Sequence, residues 1–134
     1  MKYYRYLFLS ILVFSTNVSA IQTKIEIYEQ FDNLRMVVLI GENDINNSPE
    51  WNPGLSPIPL TVGEAIQAVI ALNKAAKTPN AIKEIEIRPI PHYENHWHYL
   101  IKIANDAMNI KYSIYVVLMN GKVIPAIIEP QGFK

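Results

Sequence analysis

The segment from Ile110 to Ile128 constrains the fold of this chain more than any other. Apolar residues alternate along its first half with the period of two that is typical of a β-strand: Ile110, Tyr112, Ile114, Val116 and Leu118. Asn120-Gly121 follows, a dipeptide that favours a hairpin turn. Lys122 to Ile128 then forms the returning strand, in which we expect Val123 and Ile127 to lie opposite Leu118 and Ile114. The pattern predicts antiparallel sheet with a packed face.

A second hairpin precedes this one, and its residue pattern indicates a register. If opposed residue numbers sum to 188, the apolar pairs share one face: Ile85 with Ile103, Ile87 with Ile101, Pro89 with Tyr99 and Pro91 with Trp97. Glu86 then opposes Lys102 on the other face, a favourable cross-strand pair. The connecting loop is Tyr93-Glu94-Asn95. A shift by one residue would lose the apolar face.

The N-terminal part of the mature chain indicates a third hairpin and a long loop. Lys24 to Phe31 alternates, Asp32-Asn33 is a turn pair, and Leu34 to Ile40 is a second apolar run. Gly41 to Pro59 is rich in Pro, Gly, Asn and Asp, which predicts a loop. Trp51 lies within it, and we expect its side chain to anchor the loop to the body of the protein.

One helix is predicted between the two halves. Thr61-Val62-Gly63-Glu64 has the sequence of a capping box, with Thr61 as N-cap and Glu64 three residues later. We expect the helix to continue to Lys77, where Thr78-Pro79-Asn80 stops it. Its predicted apolar face consists of Val62, Ala65, Ile66, Val69, Ile70 and Leu72.

These elements predict an α+β fold in which an antiparallel sheet packs against one main helix, in the order β-β-α-β-β-β-β. The mature chain is a single domain over residues 21–134. Residues 21–59 form the N-terminal hairpin and the proline-rich loop, and residues 60–128 form the helix and the remaining strands.

The first twenty residues have the three parts of a cleaved signal peptide. Lys2 and Arg5 are basic, Leu7 to Phe14 is apolar apart from Ser10, and the segment ends in Val18-Ser19-Ala20. The apolar part is far shorter than the roughly 20 residues that span a bilayer. We therefore expect a periplasmic or secreted protein that starts near Ile21 and has no membrane span after cleavage.

Charge and composition exclude several classes of function. The chain has 12 Lys+Arg and 12 Asp+Glu, and removal of Lys2 and Arg5 leaves a small excess of acid. Nucleic acid is therefore not an expected partner, because binding phosphates requires a basic surface. The sequence has no cysteine, which excludes disulfides, iron–sulfur clusters and thiolate zinc sites.

Three segments together resemble a known family. They are the capped helix start Leu60–Ala65, the run His96–Ile101, and the strand and turn Val116–Ile124. From Leu60 to about Ile128 the chain resembles the PepSY-like domains of exported bacterial proteins, where meandering strands follow such a helix. The resemblance implies a non-catalytic module that binds or restrains a partner in the cell envelope, sometimes a peptidase. Cystatin-like folds, in which an antiparallel sheet wraps one helix, also fit the element order.

All three histidines lie within seven residues, at His92, His96 and His98. In the register above, His92 opposes His96, and Glu94 lies in the connecting loop. Three imidazoles and a carboxylate suit zinc or copper. The alternative is a polar strand face whose histidines bond to water and backbone, with no cofactor.

The sequence is poorly supplied with catalytic constellations. The sequence lacks a Gly-x-Ser-x-Gly elbow, a phosphate-binding glycine loop and a His-Glu-x-x-His pair. The prediction is a protein that is not an enzyme.

The last hairpin is apolar on both faces, which favours a binding role. The second set comprises Tyr115, Val117, Met119, Ile124 and Ile128. One face covers the helix, and the other is covered by the N-terminal hairpin, buried in a homodimer or exposed to a partner. The leading hypothesis is a binding or inhibitory module for an envelope or secreted protein, such as a peptidase or other hydrolase. Its candidate contact residues are Tyr93, Trp97, Tyr115 and Met119, and the alternative is a metal-binding or metal-sensing protein.

Overall fold

The computed structural model describes residues 23–31, 34–73, 81–104 and 112–129. Several predicted features lie outside these ranges: the signal peptide at 1–20, the turn Asp32-Asn33, the helix stop Thr78-Pro79-Asn80 and the strand start at Ile110.

The described residues confirm an α+β chain with antiparallel strand pairing. The elements are β1 Lys24–Phe31, β2 Leu34–Gly41, α1 Glu42–Asn46, α2 Val62–Leu72, β3 Ile82–Pro89, β4 Trp97–Ala104, β5 Tyr112–Leu118, β6 Val123–Pro125 and β7 Ile127–Ile128. Within the same ranges, no helix has the length and hydropathy needed to cross a membrane.

The described strands form two sheets where the sequence predicted one. The N-terminal sheet has the order β1-β2-β7, and the central sheet has the order β3-β4-β5-β6. The returning strand of the last hairpin divides between them, because Pro125 has no N–H for a sheet ladder and ends β6. Ile127 therefore pairs with Val37 of β2, and its predicted position opposite Ile114 is wrong.

The turn of the last hairpin is one residue longer than predicted. Leu118 N–H donates to Lys122 O at 2.9 Å, and Gly121 N–H donates to Leu118 O at 2.8 Å. Gly121 has φ +86°, the left-handed conformation that closes a three-residue hairpin loop. Val123 consequently lies opposite Val117 rather than Leu118.

The central sheet is covered on both faces. The sequence left open what covers the second apolar face of the last hairpin, and the structure identifies that cover. One face of β5 packs against the N-terminal sheet through Ile114, Val116 and Leu118. The other face packs against α2 through Val117 and Met119, with Tyr115 partly buried beside them. The N-terminal hairpin is therefore the second covering layer.

Helix α2 starts as predicted and ends earlier. Thr61 Oγ1 accepts from Glu64 N–H at 3.3 Å, and Glu64 Oε2 accepts from Thr61 N–H at 2.8 Å, which completes the capping box. The helix ends at Leu72 because Asn73 leaves the helical conformation and donates from its side chain to the Tyr115 hydroxyl at 2.9 Å. The face of α2 that packs against the central sheet is narrower than the predicted apolar face and consists of Ala65, Ala68 and Val69.

The β3–β4 hairpin keeps its predicted faces but shifts its register by two residues. Ile85 lies opposite Ile101, Pro89 lies opposite Trp97, and Lys102 lies opposite Glu84 rather than Glu86. The loop is wider than the three residues predicted, because two successive turns fill positions 90–96: Tyr93 N–H donates to Ile90 O and His96 N–H donates to Tyr93 O.

Residues 42–46 form the short helix α1, where the sequence predicted loop. Ile45 is fully buried in the core between the two sheets, and this burial fixes a segment that is otherwise rich in turn-forming residues.

Candidate binding surface at one end of the sandwich

Three connections meet at the same end of the molecule: residues 42–60, 90–96 and 119–122, which we call the loop end. Trp51 N–H donates to Asn95 O at 2.8 Å and joins the first two connections. Lys122 Nζ lies 2.5 Å from Asp44 Oδ1 and joins the first to the third. Rigid strands thus hold a continuous surface of loops, the usual arrangement for a binding site.

Trp51 anchors the longest of these loops, as the sequence predicted. Its ring meets Trp97 edge to face, with centroids 5.4 Å apart and an interplanar angle of 70°, a favoured geometry for two aromatic rings. Its indole N–H donates to Ser56 O at 3.0 Å. The buried Tyr99 supplies a second attachment by donating from its hydroxyl to Leu60 O at 2.6 Å.

The tip of the anchored loop presents a leucine to solvent. Asn52 O accepts from both Leu55 N–H and Ser56 N–H, each at 3.1 Å, and Gly54 supplies the positive φ of +83° that the turn requires. Leu55 is 89% exposed. Four prolines in the same loop restrict the backbone further: Pro49, Pro53, Pro57 and Pro59.

The loop end is acidic. It carries four carboxylates, at Glu42, Asp44, Glu50 and Glu94, against the single ammonium group of Lys122. Because Lys122 pairs with Asp44, the carboxylates of Glu42, Glu50 and Glu94 are not balanced by another Lys or Arg in the same loops. Such a surface favours a partner with a complementary basic rim.

Only two of the four predicted contact residues reach the loop end as accessible side chains. Tyr93 is half-buried, packs on the core and meets His96 edge to face, and Trp97 is half-buried against Trp51. Met119 is only 2% exposed, so the expectation that it lies on the surface is wrong: its side chain packs inward against α2. Tyr115 lies in the middle of β5, where its hydroxyl accepts from Asn73.

The structure does not bring the three histidines together. His92 is exposed in the turn with φ +67°, and His96 Nδ1 lies 2.9 Å from Glu94 O. His98 is 1% exposed and lies on the face of β4 that packs toward the N-terminal sheet. Within residues 23–31, 34–73, 81–104 and 112–129, no group of three His, Asp or Glu side chains could hold a metal ion. The N-terminal sheet covers the face of β4 that carries His98, whereas His92 and His96 lie in the connection before β4.

A cavity of about 200 Å³ lies between the two sheets, beside β5, β6 and β7. Met36, Ile114, Tyr115 and Ile128 contribute to its walls. It is smaller than the roughly 300–1,000 Å³ of most ligand pockets, and none of its walls comes from the loop end.

In comparisons with known proteins, the chain matches no family model, no curated protein and no solved structure. The candidate surface therefore depends on geometry and chemistry alone. Sequence reasoning missed Leu55, although a leucine between Gly54 and Pro57, downstream of an anchoring tryptophan, is a usable signal for an apolar residue on a restrained loop.

Proposed function

We propose that the protein is a non-catalytic binding or inhibitory module that acts outside the cytoplasm on an envelope or secreted protein, such as a peptidase or other hydrolase. The observation that carries this proposal is the restrained loop that presents Leu55 at 89% exposure. An apolar pocket on the partner is the environment that this side chain fits.

Preorganisation explains why this loop is suited to binding. Burying a leucine side chain contributes about 2 kcal/mol, but ordering a flexible loop on binding would oppose much of that gain. Here the two hydrogen bonds to Asn52 O and the Trp51 anchor already hold the turn. The acidic groups of the loop end add steering toward a basic partner and discrimination against acidic ones.

Two further parts of the proposal come from the sequence. The N-terminal twenty residues support export through a cleaved signal peptide. The resemblance of residues 60–128 to PepSY-like domains supports a module that restrains a partner, with the cystatin-like fold as the alternative. Both resemblances describe one covering layer on the sheet, whereas this central sheet has two.

Two matched leucines test the proposal. Envelope and secreted proteins of the source cell are passed over the immobilised protein, its Leu55→Gln variant and its Leu72→Gln variant. Leu72 is 57% exposed on α2, away from the loop end, and glutamine is a good helix former. We expect a stoichiometric partner to bind the wild type and Leu72→Gln, and to bind Leu55→Gln about tenfold more weakly because the apolar contact is lost.

The outcomes separate cleanly. Equal loss in both variants would indicate general stickiness of exposed leucines, and an unchanged affinity of Leu55→Gln would place the binding surface elsewhere. A partner absent from all three columns would contradict the proposal.

A further inference from the structure

The two sheets differ in how their outer edges are protected. The β3 edge of the central sheet has a register shift between Ile82 and Glu84, an exposed Lys83 and a terminal Pro89. A bulge, a lysine and a proline are the devices that prevent an edge from pairing with another strand. The β1 edge of the N-terminal sheet carries one exposed lysine, Lys24, but it has no proline, and its eight residues pair with β2 without a shift.

The pairing of β1 with β2 shows which backbone N–H and C=O groups of β1 point toward β2 and which point away from it. Glu42 N–H donates to Thr23 O at 3.3 Å, so the odd-numbered positions of β1 bond to β2. In an antiparallel pair the intervening residues direct their N–H and C=O groups the other way. The backbone groups of Lys24, Glu26 and Tyr28 therefore face outward, and all three side chains are exposed.

The position of β1 over the central sheet decides what can pair with it. Glu29 of β1 lies 2.6 Å from Arg88 of β3 and 3.4 Å from Lys102 of β4, so β1 lies over these two strands. The N-terminal sheet has three described strands and the central sheet has four, so a strand added to β1 would lie over β3. If a second whole copy paired at its own β1, the β3 strands of the two copies would be brought against each other. The position therefore suits a single extended segment.

The surface beneath that position is charged. Three carboxylates meet two cations there, with Glu84 bonded to Lys102 at 2.8 Å and Glu86 bonded to Arg88 at 2.5 Å. The side chains of Glu84 and Glu86 remain 43% and 33% exposed. The group has an excess of one negative charge, and its carboxylates can accept further hydrogen bonds from a cation above them.

We propose that the outer edge of β1 at Lys24, Glu26 and Tyr28, which no other described strand covers, binds an extended segment of a partner protein by strand addition, and that the segment carries Lys or Arg at alternate positions that face Glu84 and Glu86. The β1 backbone supplies the hydrogen bonds, and the carboxylates select the side chains. This site shares no residue with the loop end, so it stands or falls separately from the proposed function.

Two ten-residue peptides test the proposal, one alternating threonine with lysine and one alternating threonine with glutamate. Binding is followed by amide chemical shifts, and hydrogen exchange is measured residue by residue. We expect the lysine peptide to slow exchange at the amides of Lys24, Glu26 and Tyr28 and to bind at least about fivefold more tightly than the glutamate peptide. The amides of Ile25 and Ile27, already bonded to β2, should not change.

Two variants separate the backbone contribution from the charge contribution. Glu26→Pro removes an outward N–H without touching the β2 ladder, and should weaken the lysine peptide about tenfold, whereas Glu26→Gln should not. Replacing both Glu84 and Glu86 by Gln should abolish the preference for lysine but keep the exchange protection. Protection at β3, peptide binding without protection at β1, or the absence of binding would overturn the proposal. Protection of β1 that grows with protein concentration, without peptide, would assign the edge to a second copy instead.

Discussion

Lowering the pH from 7 to 4 should decrease the free energy of unfolding by about 3 kcal/mol through one side chain, His98. Burial lowers the pKa of His98 from its usual 6.5 to about 4, with a smaller effect from the positive charge of Arg88. Arg88 is the cross-strand neighbour of His98 on β3. Between pH 6.5 and 4 the unfolded chain therefore takes up a proton that the folded chain does not, and stability falls as the pH falls.

His98→Leu tests this effect by urea unfolding across the pH range. Neither ring nitrogen of His98 bonds to any of the described residues, so an apolar replacement loses no hydrogen bond to them. We expect stability at pH 7 to stay the same or rise by up to about 2 kcal/mol, and the loss between pH 6.5 and 4 to become much smaller. His96→Gln, in the connection that precedes β4, is the matched control for the loss of a histidine. A profile of His98→Leu identical to the wild type would contradict this account of His98.

Acid also affects the charged group beneath β1, but in a lower pH range. The hydrogen bond from Arg88 lowers the pKa of Glu86 to about 2. A carboxylate with a depressed pKa stabilises the fold above its unfolded pKa and loses that contribution as the pH falls through its folded value. Its contribution therefore disappears below about pH 4.5, after most of the His98 effect has occurred.

Trp51→Ala should release the loop that presents Leu55. The substitution removes the edge-to-face contact with Trp97 and the hydrogen bond to Ser56 O. We expect the free energy of unfolding to fall by about 3 kcal/mol and the affinity for the captured partner to fall at least about tenfold, since the loop must then be ordered on binding. Urea unfolding and a binding titration measure the two effects.

Trp51→Phe is the matched control, because phenylalanine keeps a ring against Trp97 but lacks the indole N–H that donates to Ser56 O. We expect it to reduce stability by about 1 kcal/mol and to retain most of the affinity. If Trp51→Ala leaves the hydrogen exchange of residues 52–56 unchanged, Trp51 is not the element that restrains the loop.

The sequence predicted the individual strands and the start of the helix well, because these depend on the pattern of neighbouring residues. The alternation over Lys24–Phe31 matches β1, the apolar run from Leu34 to Ile40 matches β2 to within one residue, and the capping box at Thr61 starts α2 as expected. The faces of β3 and β4 also follow the predicted pattern, since a two-residue shift preserves the alternation of side chains.

Features that depend on distant parts of the chain were not predictable in the same way. The loop at 90–96 requires positive φ at His92 and Asn95; Asn and His adopt this conformation more readily than most other residues, but the sequence contains many of them and does not show which ones do. His98 shares a polar neighbourhood in sequence with His92 and His96, but the N-terminal sheet, which comes from residues far away, covers its face of β4. The exposed Leu55 is a consequence of how Trp51 packs on Trp97, a contact between the long loop and strand β4.

A hydrogen-exchange footprint of the captured complex tests the central claim most directly. If the loop end binds the partner, complex formation should slow exchange in residues 51–60 and 90–96 and leave β2 and α2 unchanged. Protection confined to α2 or to the outer face of the N-terminal sheet, with residues 51–60 exchanging as in the free protein, would contradict the account.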